Sequence, residues 1–275
     1  MVKRYLKNIS FYFVTVAFLF TIFGCNNMAA KKKELAIFVP CSIFASFCEI
    51  LDAYRQEHPN IKVNFDTGNS VVLMRKVLNK GARPDVYMGT GPLEIKPLVD
   101  KGLVISETVT PVTFDSLILV APASNPKSIK SIDDLAREDV KTIAIPDPKV
   151  NSSGKFAVEY FTQRNLWDKI KDKVTFTEFG RNTRNYIIKN KVDAGIIYRS
   201  CLYEDLKAYD EVIAPKDIFV VEDLYAGTQP PIQSSIGILS AAKNRELAQG
   251  FINYITSEKA KAIIRKWEGK KIESK

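Results

Sequence analysis

Apolar residues along this chain follow two different spacings, and their alternation predicts strands that lead into helices. Residues 35–39 form a short apolar run that ends at Pro40, which is typical of a buried strand. From Ile43 to Tyr54 the apolar positions take helical spacing. Ser42 lies at the junction, where we predict the N-cap of the helix. A helix N-terminus offers unpaired N–H groups and a partial positive charge, so Ser42 is either a simple cap or part of an anion site.

This strand–turn–helix unit recurs along the chain. Further strands are predicted over residues 61–65, 85–88, 115–122, 142–145, 174–179, 193–198 and 234–240. Further helices are predicted over residues 71–80, 92–99, 155–164, 184–190, 246–255 and 257–267. Strands that alternate with helices predict an α/β fold in which mostly parallel sheets are flanked by helices.

The length of 275 residues allows two modest domains or one large one. The two closing helices are expected to pack back on the first lobe, which makes that lobe discontinuous. We therefore predict lobe 1 over residues 34–116 and 231–275, and lobe 2 over residues 117–230. The chain would cross between them near residues 115–118 and 228–234, and these crossings are the expected hinges.

The N-terminus is predicted to be a targeting segment rather than part of the fold. Lys3, Arg4 and Lys7 precede an apolar run over residues 9–23, which is shorter than the roughly 20 residues of a membrane-spanning helix. Residues 22–25, Ile-Phe-Gly-Cys, resemble the lipobox of bacterial lipoproteins. The resemblance implies a signal peptide over residues 1–24, a lipid on Cys25 and a polar tether over residues 25–33. The alternative is an uncleaved anchor, and either case places the body outside the cytoplasm.

Composition argues against several classes of function. The net charge is +9, but the basic residues are spread out and no docking motif for nucleic acid accompanies them. His58 is the only histidine and stands at a polar helix end, which disfavours Ser-His-Asp catalysis and histidine metal clusters. The sequence contains no phosphate-binding glycine loop and no Cys-x-x-Cys spacing. We therefore expect no enzyme, no cofactor and no nucleic-acid partner.

Five segments follow one another in the order and spacing of a known family. They are LAIFVPCS, FDTGNSVVL, RPDVYMGTG, AIPDPKVNSSGKFA and GRNTRNYIIKNKVDAGIIYRS. In these segments the chain resembles the molybdate- and tungstate-binding proteins of bacterial ABC importers, within the type II periplasmic binding protein superfamily. The resemblance covers about residues 34–268. It implies a two-lobed fold with the ligand cleft between the lobes, a monomer, and a place in the periplasm or cell envelope.

The resemblance also implies where the oxyanion binds. Five positions carry over from the family, two in lobe 1 and three in lobe 2: Ser42, Ser70, Ser153, Thr183 and Tyr198. Two further residues are weaker candidates. Asn69 stands in place of another family serine, and Arg184 follows Thr183, although its default role is a surface cation or an ion pair.

The chain departs from the family at two of these places. Pro40 and Cys41 precede the first serine, where the family has small apolar residues, and Ser153 and Thr183 stand where the family usually has Ala and Val. If the family donors there are backbone N–H groups, the side chains can vary. Two added hydroxyls would still bear on which anion fits.

A doubly charged tetrahedral oxyanion accepts hydrogen bonds only, and hydroxyls with N–H groups at several helix starts can satisfy it without a cation. The expected function is an extracytoplasmic lipoprotein that delivers molybdate or tungstate to the permease of an ABC importer. Two alternatives keep the fold, namely a carrier of another oxyanion such as sulfate or of a small organic acid, and the sensor domain of a transcription regulator. A fourth hypothesis is a membrane-tethered enzyme that uses Asp147 or Tyr198.

Overall fold

The computed structural model describes residues 33–202, 216–225 and 232–273. Within these ranges ten strands form two five-stranded sheets with helices packed on both faces. The predicted two-lobed α/β fold is confirmed. The predicted signal peptide, Cys25 and all of the tether but Lys33 lie outside the described residues. None of the described helices is long and apolar enough to cross a membrane.

The first sheet contains β1 (Lys33–Pro40), β2 (Ile61–Gly68), β3 (Val86–Gly89), β4 (Thr110–Asp115) and β10 (Ile232–Ile238), in the order β2-β1-β3-β10-β4. Its first face packs against α1 (Phe44–Glu57), α7 (Arg245–Ile255) and α8 (Glu258–Glu273). Its second face packs against α2 (Ser70–Lys80) and α3 (Pro92–Asp100). The closing helices therefore cover the sheet with which the chain begins, as their apolar faces predict.

The second sheet contains β5 (Leu117–Pro122), β6 (Ile143–Pro146), β7 (Val174–Thr177), β8 (Ala194–Tyr198) and β9 (Ile218–Asp223), in the order β7-β6-β8-β5-β9. One face packs against α4 (Ser152–Gln163) and α5 (Trp167–Ile170), and the other packs against α6 (Gly180–Ile188). Three of its five strands, β5, β6 and β8, are almost entirely apolar and fully buried, which is the pattern of strands that are covered on both faces.

Both sheets are mixed rather than mostly parallel. The pairs β1–β3, β6–β7 and β6–β8 are parallel, whereas β10 runs antiparallel to β3 and β4, and β5 runs antiparallel to β8 and β9. The cause is the double crossing between the lobes. Because β4 leaves the first sheet at the place where β10 returns to it, the two strands must run in opposite directions, and the same holds for β5 and β9.

Sequence patterns predict only the last residue of β4 and none of β9, and both strands belong to this double crossing. The predicted strand over residues 115–122 is in fact the end of β4 and the whole of β5, with a break at Ser116. The break is pinned by side chains, since Asp115 Oδ1 accepts the N–H of Ser116 at 2.9 Å and Asp223 accepts its hydroxyl at 3.2 Å. The second crossing includes residues 226–231, which lie outside the described part of the chain, so the exact lobe boundaries and the hinges stay predictions.

Gly154 fixes where α4 meets the sheet. A Cβ at this position would lie 1.9 Å from the carbonyl oxygen of Pro146, the last residue of β6. No real Cβ comes so close to a backbone oxygen. The absence of a side chain at Gly154 therefore lets the first turn of α4 approach the end of the strand.

We expect Gly154→Ala to destabilise the fold by about 3 kcal/mol, because the backbone must move to make room for the new methyl group. The matched control is Gly250→Ala, since Gly250 also lies in a helix but has open space around its Cα. That change should be neutral or stabilise by about 1 kcal/mol through helix propensity. Urea denaturation of the two variants measures both values, and equal stabilities would contradict the assigned close approach.

Candidate functional site

The N-terminus of α4 is built from a polar cap and two buried serines. Asn151 is the N-cap, and its Oδ1 accepts the N–H of Ser153 at 3.0 Å and the hydroxyl of Ser153 at 2.5 Å. The helix begins at Ser152, three residues before the predicted start at residue 155. The N–H and the hydroxyl of the predicted site residue Ser153 therefore both donate to Asn151, whereas the donors of Ser152 have a different partner.

Glu94, in the first turn of α3, meets these Ser152 donors. Its Oε1 accepts the N–H of Ser152 at 2.9 Å, and its Oε2 accepts the Ser152 hydroxyl. The hydroxyl of Ser152 accepts in turn the N–H of Leu93 at 2.9 Å. Gly91 permits this contact, because a Cβ there would lie 2.5 Å from the Cβ of Ser152. Two helix N-termini from different lobes therefore face each other, with one carboxylate between them.

Ser70 lies next to this contact on the side of the first lobe. Its hydroxyl is 2.7 Å from the hydroxyl of Thr90, and both residues are buried. The Tyr87 hydroxyl lies 2.9 Å from the carbonyl oxygen of Ser70 and 2.8 Å from that of Glu94, so it joins the N-terminal turns of α2 and α3. Asn69 has a structural role as the N-cap of α2, where it accepts the N–H groups of Val71 and Val72.

Tyr198 ends β8 and reaches the same place from the second lobe. Burial raises the pKa of its phenol well above the usual range, and the nearby carboxyl of Glu94 adds to the rise. The hydroxyl is buried beside the Ser152 hydroxyl, and no described residue partners it with ordinary hydrogen-bond geometry. A buried donor of this kind is suited to an added acceptor.

Ser42 is not the N-cap that the sequence predicts. It lies inside a short 3-10 turn, Cys41–Ile43, and α1 begins only afterwards, with Ile43 in the cap position and no side-chain cap. Pro40 fixes the backbone entering the turn at φ −68°, which suits a tight turn. This turn packs against the 3-10 turn Arg199–Leu202, which follows Tyr198. Ser42 therefore lies at a contact between the lobes, close to the end of β8.

The position of Thr183 differs most from the one predicted for a site residue. The helix α6 begins at Gly180 rather than at residue 184, so Thr183 lies within its first turns and its N–H donates to the carbonyl of Phe179 at 3.2 Å. Its hydroxyl lies 2.7 Å from that of Thr177 in β7. Arg184 is 8% exposed and so is not the surface cation of the default interpretation. Both of these hydrogen bonds of Thr183 lie within the second lobe.

Glu94 lacks a compensating cation in the described part of the chain. It is 0% exposed, and burial raises the pKa of its carboxyl, while the two hydrogen bonds from Ser152 oppose the rise in part. The arrangement thus holds one carboxyl among hydroxyls and N–H groups. An open pocket of about 490 Å³ lies along α3, lined by residues such as Pro92, Lys96 and Phe156, but it includes none of the five predicted residues.

Sequence reasoning missed three residues of this cluster: Thr90, Glu94 and Ser152. Glu94 stands at a helix start, where an acidic residue is ordinary. The spacing of Glu94 indicates its burial, because it lies on the same helix face as Leu98, four residues later. Leu98 is fully buried. A carboxylate on the apolar face of a helix is rare enough to mark a site.

Comparisons with known proteins agree with this fold and place the chain among binding proteins. A family model described as "Bacterial extracellular solute-binding protein" matches residues 35–267. YvgL of Bacillus subtilis strain 168, provisionally named an ABC transporter substrate-binding lipoprotein, is 26% identical over 266 residues, which cover 95% of this chain and 97% of that protein. The molybdate-binding protein ModA of Haemophilus influenzae is 24% identical over 248 residues, which cover 88% and 92%.

A solved structure extends the comparison to three dimensions. The substrate binding domain provisionally assigned to a molybdenum ABC transporter of Clostridium difficile superposes with a TM-score of 0.63 and 27% sequence identity. The match covers 84% of this chain and 96% of that domain. The predicted resemblance therefore extends over both lobes.

We expect Glu94→Gln to stabilise the fold increasingly as the pH rises above the usual carboxyl value of 4.5. A raised pKa means that the folded protein holds this proton more tightly than the unfolded chain, so the wild type loses stability as the pH rises through the folded pKa. The neutral amide has no such dependence. Urea denaturation over a pH series measures the difference, with exposed Glu246→Gln as the control, and a difference that is constant with pH would contradict the buried carboxyl.

Proposed function

Since this chain belongs to the family of bacterial extracellular solute-binding proteins, we propose that it binds molybdate or tungstate between its two lobes and delivers the ion to the permease of an ABC importer. The relatives named for molybdate binding and for ABC transport support this choice of ligand and transporter. The proposal makes the chain a carrier and not an enzyme. The described residues contain no group of three or more His, Cys, Asp or Glu that could hold a catalytic metal ion.

One observation carries the proposal, namely the convergence of polar groups from both lobes on the contact between α3 and α4. Ser70 and Thr90 supply hydroxyls from the first lobe, and Tyr198 and Ser152 supply donors from the second. Two helix N-termini point at the same place, and their partial positive charges favour an anion. Ser42 completes the set from the turn that packs against the 3-10 turn after β8.

The chemistry of these donors fits a bare dianion. Molybdate and tungstate are tetrahedral dianions whose oxygens only accept hydrogen bonds, and hydroxyl and N–H groups offer the donors that match them. Because the donors carry no formal charge, the ion can still leave for the permease when the lobes part.

Closure of the lobes follows from where the donors lie. They belong to two sheets that are joined by the crossing at Ser116 and by the second crossing before β10. A hinge motion at these two crossings would bring the donors together around the ion and separate them for release. The ion pair between Arg75 of α2 and Glu178 of the second lobe, at 2.6 Å, joins the lobes in the described arrangement.

The proposal includes attachment to the membrane surface. Cys25 would carry the lipid, and residues 26–33 would form the tether that lets the monomeric body reach its permease. The relative YvgL, whose name includes lipoprotein, supports this part.

The ligand is tested by calorimetric titration and thermal unfolding with molybdate, tungstate, sulfate and phosphate. We expect the first two to bind and to stabilise the fold by about 3 kcal/mol when present at 100 times their dissociation constant. Sulfate is the competing ligand, because it has the same charge and shape as molybdate. Stronger binding of sulfate than of molybdate would make the chain a carrier of another oxyanion. Stabilisation by none of the four would remove the oxyanion proposal.

We expect Tyr198→Phe to weaken molybdate binding about 10- to 100-fold without loss of stability. The hydrogen bond from this phenol to a charged oxygen is worth about 1.5–3 kcal/mol, whereas the folded protein without ligand loses no strong partner. The matched control is Tyr254→Phe, because its hydroxyl bonds Glu57 on the far side of the first lobe. Unchanged affinity of a folded Tyr198→Phe protein, measured by calorimetry, would take Tyr198 out of the site.

A further inference from the structure

Glu94 occupies donors that belong to the proposed anion site. Both of its carboxylate oxygens bind Ser152, one through the N–H at 2.9 Å and one through the hydroxyl. Ser152 is the first residue of α4 and immediately precedes the predicted site residue Ser153. The carboxylate thus holds, in the structure, the place at a helix N-terminus that an oxyanion would use.

Glu94 also lies next to the group that would touch the ion. Its backbone carbonyl accepts the Tyr87 hydroxyl at 2.8 Å, and its carboxyl accepts the Ser152 hydroxyl, beside which the Tyr198 phenol is buried. An oxyanion that accepts the Tyr198 hydroxyl would therefore lie beside a carboxylate. Two such negative charges repel strongly in a buried site.

The surrounding elements offer nothing to neutralise that carboxylate. Among the described residues, β10 has no titratable group, β3 has Tyr87 and β8 has Tyr198. On the packed helices the neighbouring charges are engaged elsewhere, in the pairs Arg75–Glu178, Lys76–Asp66, Lys155–Glu159 and Lys96–Asp100. Lys80, the remaining cation of α2, is exposed at the far end of that helix, and Tyr160 of α4 packs against Tyr225.

We propose that Glu94 is an internal competitor of the transported oxyanion, and that binding of the ion is accompanied by uptake of one proton on the Glu94 carboxyl. Solvent supplies the proton, which stays on the Glu94 carboxyl while the ion is bound. Uptake removes the repulsion, and the neutral carboxyl gives up its bonds to Ser152 so that these donors can bind the ligand. This inference rests on the proposed function, because it concerns the regulation of the same site.

The proposal makes the affinity of the protein depend on pH. Where Glu94 is ionised in the free protein, each pH unit should weaken molybdate binding by up to about tenfold, while the ion itself stays a dianion. A Glu94 that merely caps α4 would remain ionised in both states and would give no such dependence. The number of protons taken up separates the two roles.

The test is calorimetric titration with molybdate in several buffers of different ionisation enthalpy, between about pH 6 and 8.5. The slope of the measured enthalpy against the buffer enthalpy counts the protons. We expect an uptake of up to one proton per ion in the wild type and in the exposed control Glu246→Gln. Glu94→Gln should take up none and should bind more tightly than the wild type at the upper end of the range.

The possible results separate failure of this inference from failure of the proposed function. Binding without proton uptake in the wild type overturns the inference and leaves the proposed function intact, and this measurement needs no variant to fold. The same uptake in Glu94→Gln as in the wild type also overturns it. Absence of binding by every oxyanion tested is instead a failure of the proposed function.

Discussion

The contact between the lobes brings the N-termini of two helices, α3 and α4, face to face. The first turns of α3 and α4 both carry partial positive charge. They approach closely because Gly91 has no side chain, and a Cβ at this position would lie 2.5 Å from the Cβ of Ser152. The hydrogen-bond donors at these two ends need an acceptor between them. Glu94 supplies that acceptor from within the chain, through its bonds to Ser152. The same constraint supports the proposal of this place for a free oxyanion, because the group that joins the lobes here must accept hydrogen bonds.

Two crossings of the chain connect the two sheets on either side of this place. The chain crosses between the lobes twice, and the strands before and after each crossing run side by side, as β4 with β10 and β5 with β9. Side chains fasten the crossing at Ser116, since Asp223 accepts its hydroxyl and also pairs with Arg199 at 2.5 Å, just beyond Tyr198. Movement at the crossing is therefore linked directly to the end of the strand that carries the proposed ligand donor.

The sequence predicts the architecture better than the site. Helical and alternating spacings place eight strand segments and both closing helices, because burial of one face controls these patterns. They miss β9 and most of β4, whose pairing depends on the crossing and not on local pattern. The site residues depend on helix starts, and a shift of three or four residues in the start of α4 or α6 decides whether the N–H of Thr183 is used inside its helix. Local spacing does not fix such a boundary, and the burial of Glu94 arises only when the lobes meet.

Two pairs of hydroxyls lie near the proposed site, and they differ in the protons they leave available. In Ser70–Thr90 either hydroxyl can be the donor, so one proton is used within the pair and the other can turn towards an anion. In Thr177–Thr183 the Thr177 hydroxyl also has the carbonyl oxygen of Phe179 as an acceptor at 3.2 Å, so both protons can be used within the second lobe. Ser153 differs, because its proton goes to the carbonyl oxygen of the Asn151 side chain, which can only accept. Replacing Ala and Val of the family by Ser153 and Thr183 therefore does not simply add two donors. At Ser153 the hydroxyl bonds the cap residue of α4, and at Thr183 it bonds Thr177 of β7, so both hydroxyls have partners within the second lobe.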